Sequence, residues 1–178
     1  MSFLRRAFKD RLGSAAIDMA LILPIMIVMF LGVYEVSQAI FMYMRVIDTA
    51  DTISDLTAQY RSVATSDLNN FYTAGQLVMS PSPGSGLGLA LASVTFDPTT
   101  GNASIAWQVT RGGASAMTDA ASAAVGLGSK GDSVIEATAS YTYTSLFTFV
   151  LPHGIRMSSR VFSRPRNVSV IPCTAPCN

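Results

Sequence analysis

Hydrophobic and polar positions follow three regimes along this 178-residue chain, and each predicts a different element. The first is the uncharged run M19-A-L-I-L-P-I-M-I-V-M-F-L-G-V-Y34. Its 16 residues make about 24 Å of helix, a little short of a ~30 Å hydrocarbon core. Extending it back over Ser14, Ala15, Ala16 and Ile17 reaches spanning length, but only by taking in Asp18. The second regime, from Glu35 to Arg61, holds no Pro or Gly and turns amphipathic. Ile40, Met44, Ile47, Ile53, Leu56 and Tyr60 recur at spacings of three, four or their sums. One continuous helix is therefore expected to leave a membrane and run on into an exported domain. Pro24 and Gly32 fall inside its apolar part, where membrane helices tolerate them better than soluble ones.

A second short helix is expected from near Ser66, with Leu68, Phe71, Leu77 and Val78 on its apolar side. S80-P-S-P-G-S-G-L-G88 reads as a linker. Its glycine spacing lacks the preceding strand and following Lys-Ser/Thr that a phosphate-binding turn needs. The third regime is alternating. L91-A-S-V-T-F-D97 and N102-A-S-I-A-W-Q-V-T110 flank the turn sequence D97-P-T-T-G101, which predicts an antiparallel hairpin. Ile105, Trp107 and Val109 are expected on one half-buried face. Gly112 to Gly131 reads as a long loop with a helical turn around Thr118 to Ala124. V134-I-E-A-T-A-S-Y-T-Y-T144 is the clearest strand, with Ile135, Ala137, Ala139, Tyr141 and Tyr143 on one face. S145-L-F-T-F-V-L-P-H-G154 follows as a connection, and I155-R-M-S-S-R-V-F-S-R164 alternates again. The predicted fold class is α+β, a small antiparallel sheet of three or four strands packed on the extended helix.

Charge refines this picture. The net charge of +1 hides Arg5, Arg6, Lys9 and Arg11 at the N-terminus and Arg156, Arg160, Arg164 and Arg166 near the C-terminus. Basic residues ahead of the apolar run predict a cytoplasmic N-terminus and an exported body. Cys173 and Cys177, in C-T-A-P-C, could close a small ring in an oxidising compartment, and a local disulfide is favoured over two free thiols. A zinc site would need two more ligands, and the single histidine, His153, cannot supply both. Asp48, Asp51 and Asp55 read as a solvated helix face rather than a calcium site. Arg156, Arg160 and Arg164 share one strand face, expected to be solvated or to meet acids of a neighbouring subunit or an anionic surface. No basic, aromatic-interleaved patch suggests nucleic acid. No nucleophile motif accompanies His153, so neither an enzyme nor a cofactor is expected.

Asp18 needs its own account. A carboxylate forced to the centre of a bilayer costs about 2.5–3.5 kcal/mol, less near the interface, so it is a functional candidate. It sits in R11-L-G-S-A-A-I-D-M-A-L-I-L-P24, a basic leader, a Gly, an acid five positions later and an apolar helix with Pro. With G32-V-Y-E35 near the membrane exit, this pattern resembles the TadE/TadG-like pseudopilins of tight-adherence (Flp-type) pili, over roughly Gly13 to Ala58. The family usually carries Glu where this chain has Asp18, which keeps the charge on a side chain one methylene shorter.

The resemblance implies a pilin-like architecture and cleavage after Gly13 by a prepilin peptidase. Ser14 would become the mature N-terminus and Asp18 its fifth residue. Cleavage would remove Arg5, Arg6, Lys9 and Arg11, leaving one ammonium and the Asp18 carboxylate at the membrane face. Assembly would then rest on Asp18, Pro24 and Glu35, and the implied partners are the membrane, the peptidase, other pilins or pseudopilins and the inner-membrane assembly platform. The organisation this suggests is a leader over 1–13, a transmembrane helix over 14–35, an exported helical stalk over 36–79, a linker over 80–88 and a mainly-β region over 89–178. The C-terminal domain is expected in the periplasm. Two other readings compete: a membrane-anchored binding module unrelated to a fibre, and a secreted adhesin-like domain released by ordinary signal peptidase after Ser37-Gln38-Ala39.

Overall fold

The computed structural model describes residues 11–147, 151, 154–174 and 177. The first ten residues of the expected leader, and His153, lie outside them. The elements are α1 (Arg11–Gln59), α2 (Thr65–Val78), β1 (Leu87–Phe96), β2 (Ala103–Arg111), α3 (Ala120–Ala123), β3 (Ser133–Tyr143) and β4 (Ile155–Ser163). The chain divides into two compact units, Met1–Ile40 with Ser145–His153, and Phe41–Thr144 with Gly154–Asn178. The class is α+β, a long apolar N-terminal helix followed by a packed antiparallel sheet.

In the larger unit the sheet order is β2-β1-β3-β4, with every neighbour antiparallel. The β1–β2 turn forms as its sequence dictates. The Asp97 carboxylate accepts from the Thr99 and Thr100 amides at 2.8 and 2.6 Å, and Gly101 takes a φ of 81°. These hydrogen bonds hold the Asp97 carboxyl below its ordinary pKa.

Helix α1 buries a stripe that only partly matches the expected one. Ile53 is buried and Leu56 packs against the core as expected, but Ile40, Met44 and Tyr60 are exposed, and Met42, Val46, Thr49, Ala50, Thr57 and Ala58 are buried. Small and hydroxyl side chains let the helix approach closely, and the two threonines are satisfied locally. Thr49 and Thr57 each donate at 2.7 Å to the carbonyl four residues back. Gly75 of α2 serves the same end, since a Cβ there would lie 3.1 Å from Leu87 and 3.2 Å from Thr49. Ile53, Val63, Leu68, Phe71, Leu89, Leu91, Trp107, Val109, Ile135 and Ile171 form the core on this side of the sheet.

The other side of the sheet is also covered. Ala90, Ala92, Val94 and Phe96 of β1 and Val134 of β3 pack against Met117, Ala120 and Ala124. The Gly/Ala/Ser-rich stretch 112–131 is thus a second layer as well as a loop, and its helical turn is α3. A bulge where Ser93 and Val94 face Trp107 and Ile105 explains a further difference. The extra residue, Ala106, shifts the pleat, so Trp107 and Val109 join the helix-side core while Ile105 packs on the far side.

The last segment closes the larger unit. The α1 carbonyls of Ala58 and Gln59, which have no partner within the helix, accept from the Arg166 amide at 2.9 Å and Asn167 Nδ2 at 2.7 Å. Trp107 Nε1 donates to the Ile171 carbonyl at 2.8 Å. Cys173 and Cys177 are joined, with Cα atoms 6.3 Å apart, and pack beside the core.

Candidate functional site

The residues expected to act in processing and assembly all fall on α1, strung along its axis. Gly13 and Ser14 lie in its first turn by backbone. Asp18 follows one turn later and is exposed, as are all the large apolar side chains from Met19 to Phe30. The most apolar 18-residue stretch of the helix has no buried position, and its length and composition suit a membrane crossing. Pro24 sits inside without ending the helix. Glu35 lies 17 residues beyond Asp18, about 25 Å along the axis. The structure therefore places these two acids at opposite ends of the apolar run.

Their surroundings also differ. Glu35 is fully buried. Its Oε1 accepts from the Leu146 amide at 3.0 Å, a contact spanning 111 residues of sequence. The connection after β3 thus returns to the helix where the apolar run ends, and both partners belong to the smaller unit. The sequence offered half of this signal, an acid at the end of an apolar helix. A backbone amide leaves no trace in sequence, so its partner did not show.

A second acid, Glu136 of β3, is equally buried, in the larger unit. Arg160 Nε of β4 lies 3.0 Å from its Oε1. The same guanidinium reaches both carboxylate oxygens of Asp119 in the covering layer, at 2.9 and 3.0 Å. Burial pushes the Glu136 carboxyl above its ordinary pKa; the Arg160 charge draws it back, and Asp119 adds to the rise. Asp119 is held below the usual carboxylate range by its Arg160 hydrogen bonds. Four residues beyond Arg160, Arg164 donates from Nε and Nη2 to the Leu127 carbonyl. Arg160 and Arg164 therefore fasten the covering layer while remaining exposed on the strand face. Asp55, from the acidic face of α1, pairs with Arg166 at 2.8 Å. Among the described residues no three His, Cys, Asp or Glu cluster to hold a metal ion.

Fold and helix together define an α+β protein whose single N-terminal apolar helix is consistent with single-pass membrane anchoring. Residues 13–54, the stretch that carries Gly13, Asp18, Pro24 and Glu35, match the family model described as TadE-like protein. The matched stretch is similar to that family, consistent with a TadE/TadG-like protein of the tight-adherence pilus. No curated protein and no solved structure matches the chain.

Proposed function

We propose that this protein is a minor pseudopilin-like component of a tight-adherence pilus machine, anchored in the bacterial inner membrane with its α+β body in the periplasm. Its work is mechanical, helping a fibre to assemble through helix–helix packing. The observation that carries this reading is the match over residues 13–54, which covers the Gly13–Asp18 spacing and the apolar helix together. Prepilin peptidase cuts after Gly13, and the new Ser14 amine then lies near the Asp18 carboxylate. An amine and an acid at a membrane face offset part of each other's desolvation when subunits meet. The exposure of Asp18, in contrast to buried Glu35, leaves it available to a neighbour.

Mapping the mature N-terminus in cells with and without prepilin peptidase tests the proposal. Ser14 is expected only where the peptidase is present. A mature protein starting at Ile40 would instead mark ordinary signal-peptidase release, and Met1 in both strains would overturn processing altogether. Asp18→Ala is expected to insert normally and fail to enter the assembly. Normal piliation by that variant would remove the role assigned to this carboxylate.

A further inference from the structure

The connection between β3 and β4 has a composition unlike the rest of the exported body. From Ala137 to Ile155 there is no Asp, Glu, Lys or Arg, and residues 145–151 read S-L-F-T-F-V-L. An ordinary surface connection would be polar. Ser145–His153 groups with α1 up to Ile40 and apart from the sheet that precedes and follows it. Leu146 is held there by its amide, which donates to Glu35. Its side chain nevertheless points away from the protein, at 73% exposure, while Phe147 and Leu151 are half-buried.

The level at which this happens matters. Glu35 is the first charged residue after the apolar run, so it marks where α1 leaves the hydrocarbon. Val33, Tyr34 and Val36 around it are exposed, and Tyr34 is the kind of ring that sits at headgroup depth. An uncharged loop with an outward leucine at that depth continues the lipid-facing surface of the helix. The hydrogen bond from a backbone amide also explains how a carboxylate is accommodated beside the bilayer.

We propose that the start of the β3–β4 connection, at Leu146, is a second membrane contact. It inserts Leu146 into the headgroup–acyl boundary of the leaflet at which α1 exits, and Glu35 is the positioning residue that holds it there. The occupant of this surface is phospholipid. The inference rests on α1 spanning a bilayer and is independent of any role in a fibre.

The test uses the full chain in lipid nanodiscs at one chain per disc, with its native disulfide intact. A Leu146→Cys variant carries an environment-sensitive thiol probe, and an Ile27→Cys variant carries the same probe at mid-span. The Leu146 site is expected to emit to the blue, to resist aqueous iodide and to be quenched by spin labels high on the acyl chains. The Ile27 site is expected to be quenched by labels deeper down. Adding Glu35→Ala to the Leu146→Cys chain is expected to reduce lipid quenching severalfold while the emission of Trp107 stays unchanged. A water-exposed Leu146 probe beside a lipid-quenched Ile27 probe would overturn this inference and leave the anchor standing. An unquenched Ile27 probe would overturn both. Protection of the Leu146 site only when several chains share a disc would assign the surface to a second copy and refute the lipid contact. Lipid quenching unaffected by Glu35→Ala would remove the positioning role of Glu35.

Discussion

Replacing Arg160 by alanine separates two ways in which a buried acid can be tolerated. Glu136 has no exposed surface, and the Arg160 guanidinium, 3.0 Å away, is the cation that faces it. Truncating one partner of a buried pair costs about 3–5 kcal/mol, because the other charge is left in low dielectric. The Arg160 side chain is itself 35% exposed, so water reaches part of the vacated space. The lower end, about 3 kcal/mol, is therefore expected. Trp107, the only tryptophan, is buried and reports unfolding directly. In urea titrations of the detergent-solubilised chain, a slope of about 2 kcal/mol per molar turns 3 kcal/mol into a midpoint lowered by about 1.5 M.

Glu136→Gln removes the charge while keeping the shape, so it should cost far less. The double variant should be more stable than Arg160→Ala alone, since no buried charge remains unpaired. The pH dependence has a definite sign. The Glu136 pKa is raised in the folded state, so burial of its charge penalises folding above that value. The penalty is relieved as pH falls through the folded pKa toward the unfolded one. Without Arg160 the pKa rises further, and the Arg160→Ala chain should regain stability relative to wild type on mild acidification. Equal destabilisation by Arg160→Ala with Glu or Gln at position 136 would refute the reasoning, because the loss would then belong to the Asp119 contact alone.

Two further perturbations probe the frame. Ile53→Ala empties a fully buried position where α1 meets the sheet, and should cost about 2–5 kcal/mol by the same urea titration; a loss under about 1 kcal/mol would mean the helix does not pack there. Gly112 and Gly113 both have positive φ, but a Cβ at Gly112 would collide with the Leu87 carbonyl and Tyr72 Oη, whereas one at Gly113 meets nothing within 4 Å. Gly112→Ala should therefore cost about 3 kcal/mol or more and Gly113→Ala about 1 kcal/mol; equal losses would contradict the packing of this loop against β1.

The parts of the fold visible in sequence were those written in local periodicity. Strands β1 to β4 alternate or are bounded by turn residues, and the apolar run of α1 is continuous. The covering layer was not visible, because 112–131 buries only Met117, Ala120 and Ala124, and a few small side chains among glycines and serines look like a loop. The buried stripe of α1 was legible only at Ile53 and Leu56, for a related reason: its threonines and alanines also pack, while Ile40 and Met44 remain exposed. In the candidate site, Asp18 and Glu35 stood out as acids bordering an apolar helix. The contact of Glu35 depends on a chain reversal 111 residues away, and no local pattern encodes it.

The closing segment from Arg166 to Thr174 sets a schedule for this chain. The end of α1 and the Val63 backbone take hydrogen-bond partners from Arg166, Asn167, Pro172 and Thr174, and Ile171 joins the core beside Trp107. Synthesis delivers the helix first and these partners more than 100 residues later. Throughout that interval the apolar helix is ready for the bilayer while the body behind it lacks its last core residue. Contacts so distant in sequence form late and leave apolar surface uncovered meanwhile. If α1 enters a bilayer as its composition allows, insertion would precede completion of the fold, and a chain truncated before residue 166 would reach the membrane with its body open to proteolysis.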